Sequence, residues 1–107
     1  MKKYMVLYRN PATAKQIDLS SEEKKKQREP WIAWEKKTGK ALVVSGIPLI
    51  NGMKIRKDNI SHTKTQITGY TVIQAEDWEA FKAILADNPF LMMQKASFEV
   101  FEIMSIQ

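Results

Sequence analysis

The chain has 107 residues, enough for one domain spanning 1–107, and its 44% apolar content is that of a folded protein rather than a disordered one. It contains no cysteine, which excludes disulfides, thiolate nucleophiles, iron–sulfur clusters and cysteine zinc sites, and which fits a reducing, cytoplasmic setting. The net charge of +5 is unevenly spread: residues 1–69 carry fifteen basic and six acidic side chains, residues 70–107 two and six. This asymmetry suits an anionic ligand near the first half or the pairing of two copies, and equally a plain solvated surface.

The basic start Met1-Lys2-Lys3 precedes an apolar run that ends at Arg9, too short for the apolar core of a signal peptide. Lys3 to Arg9 instead reads as a strand. Tyr4, Val6 and Tyr8 alternate with Met5 and Leu7, and two apolar faces predict an interior strand. Asn10-Pro11 ends it. Ser20-Ser21-Glu22-Glu23 has the form of a capping box, with Ser20 as N-cap. Residues 22–29 contain nothing apolar and Pro30 removes a backbone donor, so the reading is a solvated or irregular first segment followed by a core-facing helical segment from Pro30 to Lys37. Trp31 and Trp34 share its face. Lys36 and Lys37 suit its last turn, and Gly39 suits the position beyond it.

Ala41 to Val44 reads as a short strand with a bend at Gly46 and Pro48. Asn51-Gly52, between Leu49-Ile50 and Met53-Lys54-Ile55, predicts a two-residue hairpin turn. Residues 57–67 are polar with a turn at Asp58-Asn59, and Tyr70 to Ala75 is a strand rich in β-branched residues. Asp77 is placed to cap a helix whose Trp78, Phe81 and Leu85 form an apolar face, and Asp87-Asn88-Pro89 stops it. Phe98 to Ile106 alternates as a final strand. The order is strand, helix, strand, strand, helix, strand with an added hairpin, the split βαβ arrangement. It predicts an α+β, ferredoxin-like βαββαβ domain with an antiparallel sheet, helices on one face, and a second apolar face that only another copy of the chain can cover.

Several patterns occur together in chain order: Lys-Tyr-Met-Val-Leu-Tyr (3–8), Trp-x-x-Trp (31–34), Gly-Ile-Pro-Leu (46–49), Thr-Gly-Tyr-Thr-Val-Ile-Gln-Ala (68–75), Asn-Pro-Phe (88–90) and Ser-Phe-Glu-Val-Phe-Glu-Ile (97–103). As a set they resemble the YCII-related family, in particular its branch with an Asp-Gly-Pro-Phe motif. The resemblance implies a dimeric α/β barrel in which two sheets close on each other, with a pocket between sheet and helices. It implies no settled activity, although a few relatives act on chlorinated hydroquinone-type aromatics. Members nearest the family's namesake carry a His in the first helix and an Asp in an Asp-Pro-Tyr motif, proposed as a catalytic dyad. Here Trp31 stands near the His position and Asn88 at the Asp position, so both dyad members are missing. The Asp-Gly-Pro-Phe signature is absent as well, its stretch reading Ser61 to Gln66.

His62 is the single histidine and the natural acid/base candidate, in a loop that otherwise reads as exposed and without a role. Tyr8, Arg9, Ser45, His62 and Tyr70 are expected to converge at strand ends: Arg9 offers a planar fork for a carboxylate or phenolate, and Tyr70 a donor to a bound oxygen. Against this, Tyr8 reads first as a core or dimer residue with a polar tip, and Tyr70 reads equally as one. Trp31, beside Pro30, is the tryptophan most suited to wall a pocket, although tryptophans at helical spacing are ordinarily core. Lys24 to Arg28 is a basic run that reads as a solvated face. One histidine without cysteines does not make a zinc site, and no cofactor is expected.

The element order is also that of RNA-recognition motifs. Their third-strand pattern is matched only by Gly69 and Tyr70, with Ala75 where the last stacking aromatic belongs. The partners expected are therefore a second copy and a small molecule, not nucleic acid or a membrane. The leading functional expectation is a homodimeric small-molecule-binding protein, catalytic on an aromatic or polyketide-like substrate if His62 serves as acid/base, with Arg9, Trp31, Ser45 and Tyr70 contacting the ligand. The alternative, drawn from the missing dyad, is a non-catalytic ligand-binding or stress-associated module.

Overall fold

Alternation of apolar side chains makes β1 (Lys2–Arg9) the centre of the domain. Tyr4, Val6 and Tyr8 are buried on one face, while Met5, Leu7 and Arg9 are half-buried on the other. The computed structural model describes residues 1–10, 21–63, 65–93 and 95–105, and of 21–25 and 27 the backbone alone. β1 pairs with β5 (Ile67–Ala75) and β6 (Ser97–Ile103), and β5 pairs with β2 (Leu42–Pro48), all antiparallel. The four-stranded order β2-β5-β1-β6 is that of a ferredoxin-like α+β domain, as the sequence predicts.

Helix α1 (Ser21–Thr38) is one continuous helix with Pro30 inside it, which corrects the expected division into two segments. Proline leaves the carbonyl four residues back without its helical partner. That carbonyl belongs to Lys26, an exposed residue, where solvent can replace the lost partner and the helix need not stop. The capping box expected at Ser20–Glu23 lies outside the described residues and side chains, as do Pro11 and Ile106. Trp34 faces the core and donates its indole N–H to the Ile84 carbonyl at 3.1 Å, tying α1 to α2 (Trp78–Leu85). Gly39 takes φ +57° just beyond the helix, the left-handed geometry that glycine adopts without cost. Asp77 caps α2 as expected, accepting from Ala80 N at 2.8 Å.

Two further corrections concern the middle of the chain. β2 does not end at Val44 but runs on through Gly46 to Pro48 with two register irregularities. It is an edge strand, where a proline removes no needed ladder donor. Asn51-Gly52 is not the hairpin turn, although Asn51 does adopt φ 56°. The hairpin pairs β3 (Met53–Arg56) with β4 (Asn59–His62) across Lys57-Asp58, so residues expected to be loop form a strand. Its register puts Ile55 opposite Ile60 and Met53 opposite His62 on one face, with Lys54, Arg56, Asn59 and Ser61 on the other. Cross-strand pairing of the two isoleucines thus outweighs the turn preference of Asn-Gly.

Both helices pack on the β1 face carrying Tyr4, Val6 and Tyr8, in a core completed by Trp34, Ile73, Phe81, Leu85 and Phe90. The opposite sheet face carries Met5, Leu7, Tyr70, Val72, Phe101 and Ile103, with Phe101 57% exposed. The domain is only 20 Å thick against 45 and 40 Å in its other dimensions, which is one helix layer on one sheet layer.

Candidate functional site

The wide end of the helix–sheet sandwich, where β2 and β5 meet α1, stays open as a cleft of about 580 Å³, within the size range of small-molecule sites. Tyr8 forms its floor. The Tyr8 ring stacks on Phe90 at a centroid distance of 4.9 Å and lies tilted against Trp31 at 5.8 Å and Phe98 at 5.3 Å. Ile32 and Met93 add apolar wall, and Arg28 and Glu35 supply the charged groups that line the cleft among the described residues.

Two glycines make room for the Tyr8 ring. A Cβ on Gly69 would lie 2.9 Å from the Ile47 carbonyl oxygen and 3.5 Å from Tyr8 Cδ2. A Cβ on Gly46 would lie 3.6 Å from the Tyr8 hydroxyl oxygen, in ordinary contact. The hydroxyl therefore sits beside the bare backbone of Gly46, a cleft residue.

The polar chemistry behind this floor is incomplete. Tyr8 is 6% exposed and Asn88 2%, and among the described residues neither the Tyr8 hydroxyl nor Asn88 Nδ2, both closed off from solvent, has a hydrogen-bond partner. Asn88 Oδ1 is committed to Phe90 N at 2.9 Å, the cap of the short Pro89–Met92 helical turn. The Thr71 hydroxyl donates to the Val44 carbonyl. Burial pushes the Tyr8 pKa up and the Glu35 charge adds to the rise, while the facing Asn88 amide and Thr71 hydroxyl pull it part of the way back. The phenol is thus held protonated, as a donor. Buried polar atoms without partners are uncommon and costly.

The candidates named from sequence do not converge within one chain. Trp31 lines the cleft. Ser45 lies at its rim and donates to Glu35 Oε1 at 2.9 Å. Arg9 is on the other sheet face, paired with Glu99 at 2.8 Å. Tyr70 lies opposite Leu7 and so shares Arg9's face, whereas Tyr8 lies opposite Gly69 on the helix face. His62 is exposed at the end of β4, opposite Met53, and is not among the residues lining the cleft. The sequence points to neither Glu35 nor Met93, and to Asn88 and Phe90 only through their shared motif. The Asn-Pro-Phe turn signal marked where Asn88 and Phe90 stand, but not that both are buried. Among the described residues no group of three or more His, Asp or Glu side chains could hold a metal ion, and no helix is long and apolar enough to cross a membrane.

Compared with known protein families, the chain matches the model of the YCII-related domain over residues 1–107. No curated protein matches it.

Proposed function

The chain belongs to the YCII-related family, and on that premise we propose that it is a homodimeric, cytoplasmic small-molecule-binding protein whose ligand occupies the Tyr8 cleft. The observation that carries this reading is a cavity of about 580 Å³ lined by Tyr8, Trp31 and Phe90, with Arg28 and Glu35 as its charged groups among the described residues. The two positions at which the family resemblance places a His and an Asp are Trp31 and Asn88, and both stand against Tyr8. The acid/base pair is replaced there by an aromatic wall and an amide, a combination that binds rather than transfers protons.

Dimer formation is supported by the sheet face opposite the helices, which no helix of the described residues covers. A radius of gyration of 15.6 Å exceeds the roughly 13 Å of a compact chain of this length, as expected of a two-layer half whose third and fourth layers come from a second copy. Phe101 is 57% and Ile103 40% exposed on that face, beside Leu7 and Tyr70, and a second copy would bury them. Arg9 and Tyr70 then belong to the interface rather than to the cleft.

A catalytic reading that keeps His62 is favoured by one observation. His62 shares the apolar face of a hairpin whose Ile55 is 71% and Ile60 63% exposed, so in a dimer that face has reason to seek cover on the partner. The test of both readings is native mass spectrometry of gently purified protein beside the denatured sample. Binding predicts a two-chain mass carrying a non-covalent adduct that is released unchanged. Recovery of the adduct in chemically altered form, together with loss of that conversion in His62→Gln, would favour catalysis.

A further inference from the structure

One face of α1 forms a long wall of the cleft. Arg28, Trp31, Ile32 and Glu35 all line it, at the spacings that bring helix residues to one side. Arg28 and Glu35 therefore stand at the two ends of an apolar stretch, two helical turns or about 10 Å of rise apart. The β2 residue Ile47 and Met93 add further apolar lining.

Opposite charges in one cleft ordinarily answer each other by pairing. Here they do not. Among the described residues neither Arg28 nor Glu35 enters an ion pair. Their separation along the helix is about one screening length at moderate salt, so neither charge does much for the other. Glu35 is half-buried and its Oε1 accepts from the Ser45 hydroxyl at 2.9 Å. That bond holds the carboxylate in place and, among the described residues, leaves its other oxygen unused. A guanidinium offers only donors and a carboxylate only acceptors. The cleft thus presents a demand for an anion at one end, a demand for a cation at the other, and an apolar surface with the Trp31 ring between them. A ligand with one charge, or with none, leaves at least one end unanswered.

We propose that the cleft takes an elongated amphoteric compound, with an anionic group on Arg28, an apolar ring against Trp31 and Ile32, and a protonated amine on Glu35. This rests on the reading of the cleft as the ligand site, and the experiment separates the two. Three probes share one para-substituted ring: para-(aminomethyl)hydrocinnamate, which carries both charges; para-methylhydrocinnamate, which lacks the amine; and para-propylbenzylamine, which lacks the carboxylate. Each is titrated into the full chain by calorimetry near neutral pH. Wild type, Arg28→Gln and Glu35→Gln are compared, with circular dichroism confirming the fold of each variant.

The two-charge probe is expected to bind wild type about tenfold more tightly than para-methylhydrocinnamate, the worth of a hydrogen-bonded charge at half-buried Glu35. Its margin over para-propylbenzylamine is expected to be about threefold, as for a solvent-exposed pair at Arg28. Glu35→Gln keeps an oxygen for the Ser45 hydroxyl, erases the first margin and leaves the second. Arg28→Gln erases the second and leaves the first. A general effect on fold or net charge would instead move both margins together. If a one-charge probe binds wild type as well as the two-charge probe, or if the margins survive both substitutions, the ligand class is wrong although the chain binds. Absence of binding by all three also overturns it. The cleft reading then stands or falls on the adduct carried by gently purified protein, which needs no choice of probe.

Discussion

The Asn88 side chain faces the Tyr8 hydroxyl, yet among the described residues the hydroxyl and Asn88 Nδ2 are both buried without a hydrogen-bond partner. An unsatisfied pair of this kind lowers stability. Removing the hydroxyl alone tests that statement. Tyr8→Phe keeps the ring contacts with Trp31, Phe90 and Phe98 and deletes an unmade bond. Its stability is expected to equal or exceed wild type by about 1 kcal/mol in urea titrations at neutral pH. A loss of more than that would mean the hydroxyl is already satisfied.

The same substitution changes the response to alkali. The Tyr8 pKa is raised in the folded protein, mainly by burial. Stability from this group is therefore fully present below tyrosine's unfolded pKa, and is lost as pH climbs from there through the higher folded value. Wild type is expected to lose stability more steeply than Tyr8→Phe across that alkaline window. Urea midpoints measured at a series of pH values provide the check, with parallel curves counting against the assignment.

Gly69 and Gly46 should behave differently although both flank Tyr8. A Cβ on Gly69 meets the Ile47 carbonyl oxygen at 2.9 Å, a backbone atom in the β2–β5 ladder. Gly69→Ala is expected to cost about 1–3 kcal/mol in folding stability, the range for overpacking. Gly46→Ala meets only ordinary contacts at 3.6 and 3.7 Å on the Tyr8 ring and hydroxyl. It should leave the melting temperature nearly unchanged while narrowing the cleft that Gly46 lines and weakening ligand binding. Thermal melts and ligand titrations of the two variants side by side separate the effects.

The sheet face opposite the helices predicts an assembly defect. Phe101→Glu places a charge at a site already 57% exposed in one chain, so the folded protomer should tolerate it. Buried between two sheets, the same charge is strongly unfavourable. Sedimentation velocity should show wild type at twice the chain mass and the variant at the chain mass, with matching circular dichroism. Two equal masses would move the interface elsewhere.

Much of this architecture can be read from the residues because its signals are local. The Tyr4-Val6-Tyr8 alternation marks β1, and Asp77 marks the start of α2. The misread elements are those in which distant partners override local preference. Pro30 reads as a helix break, but the carbonyl it orphans belongs to the exposed residue Lys26. Asn51-Gly52 reads as a hairpin turn, but the Ile55–Ile60 pair sets the register six residues further on. The site was legible only in part for a geometric reason. Strand periodicity puts Tyr8 and Arg9 on opposite faces, so they cannot share a pocket, and the pairing of Tyr8 with Gly69 sends Tyr70 to Arg9's side. Nothing local to Asn88 distinguishes a buried donor from a surface turn residue, because its burial depends on packing near Tyr8 and Phe90.

The most direct test is native mass spectrometry of the gently purified wild-type chain, run beside Phe101→Glu. Wild type is expected as a two-chain species carrying a non-covalent small-molecule adduct, and Phe101→Glu as a single-chain species. A wild-type mass of one chain without an adduct would rule out both the dimer and the ligand site.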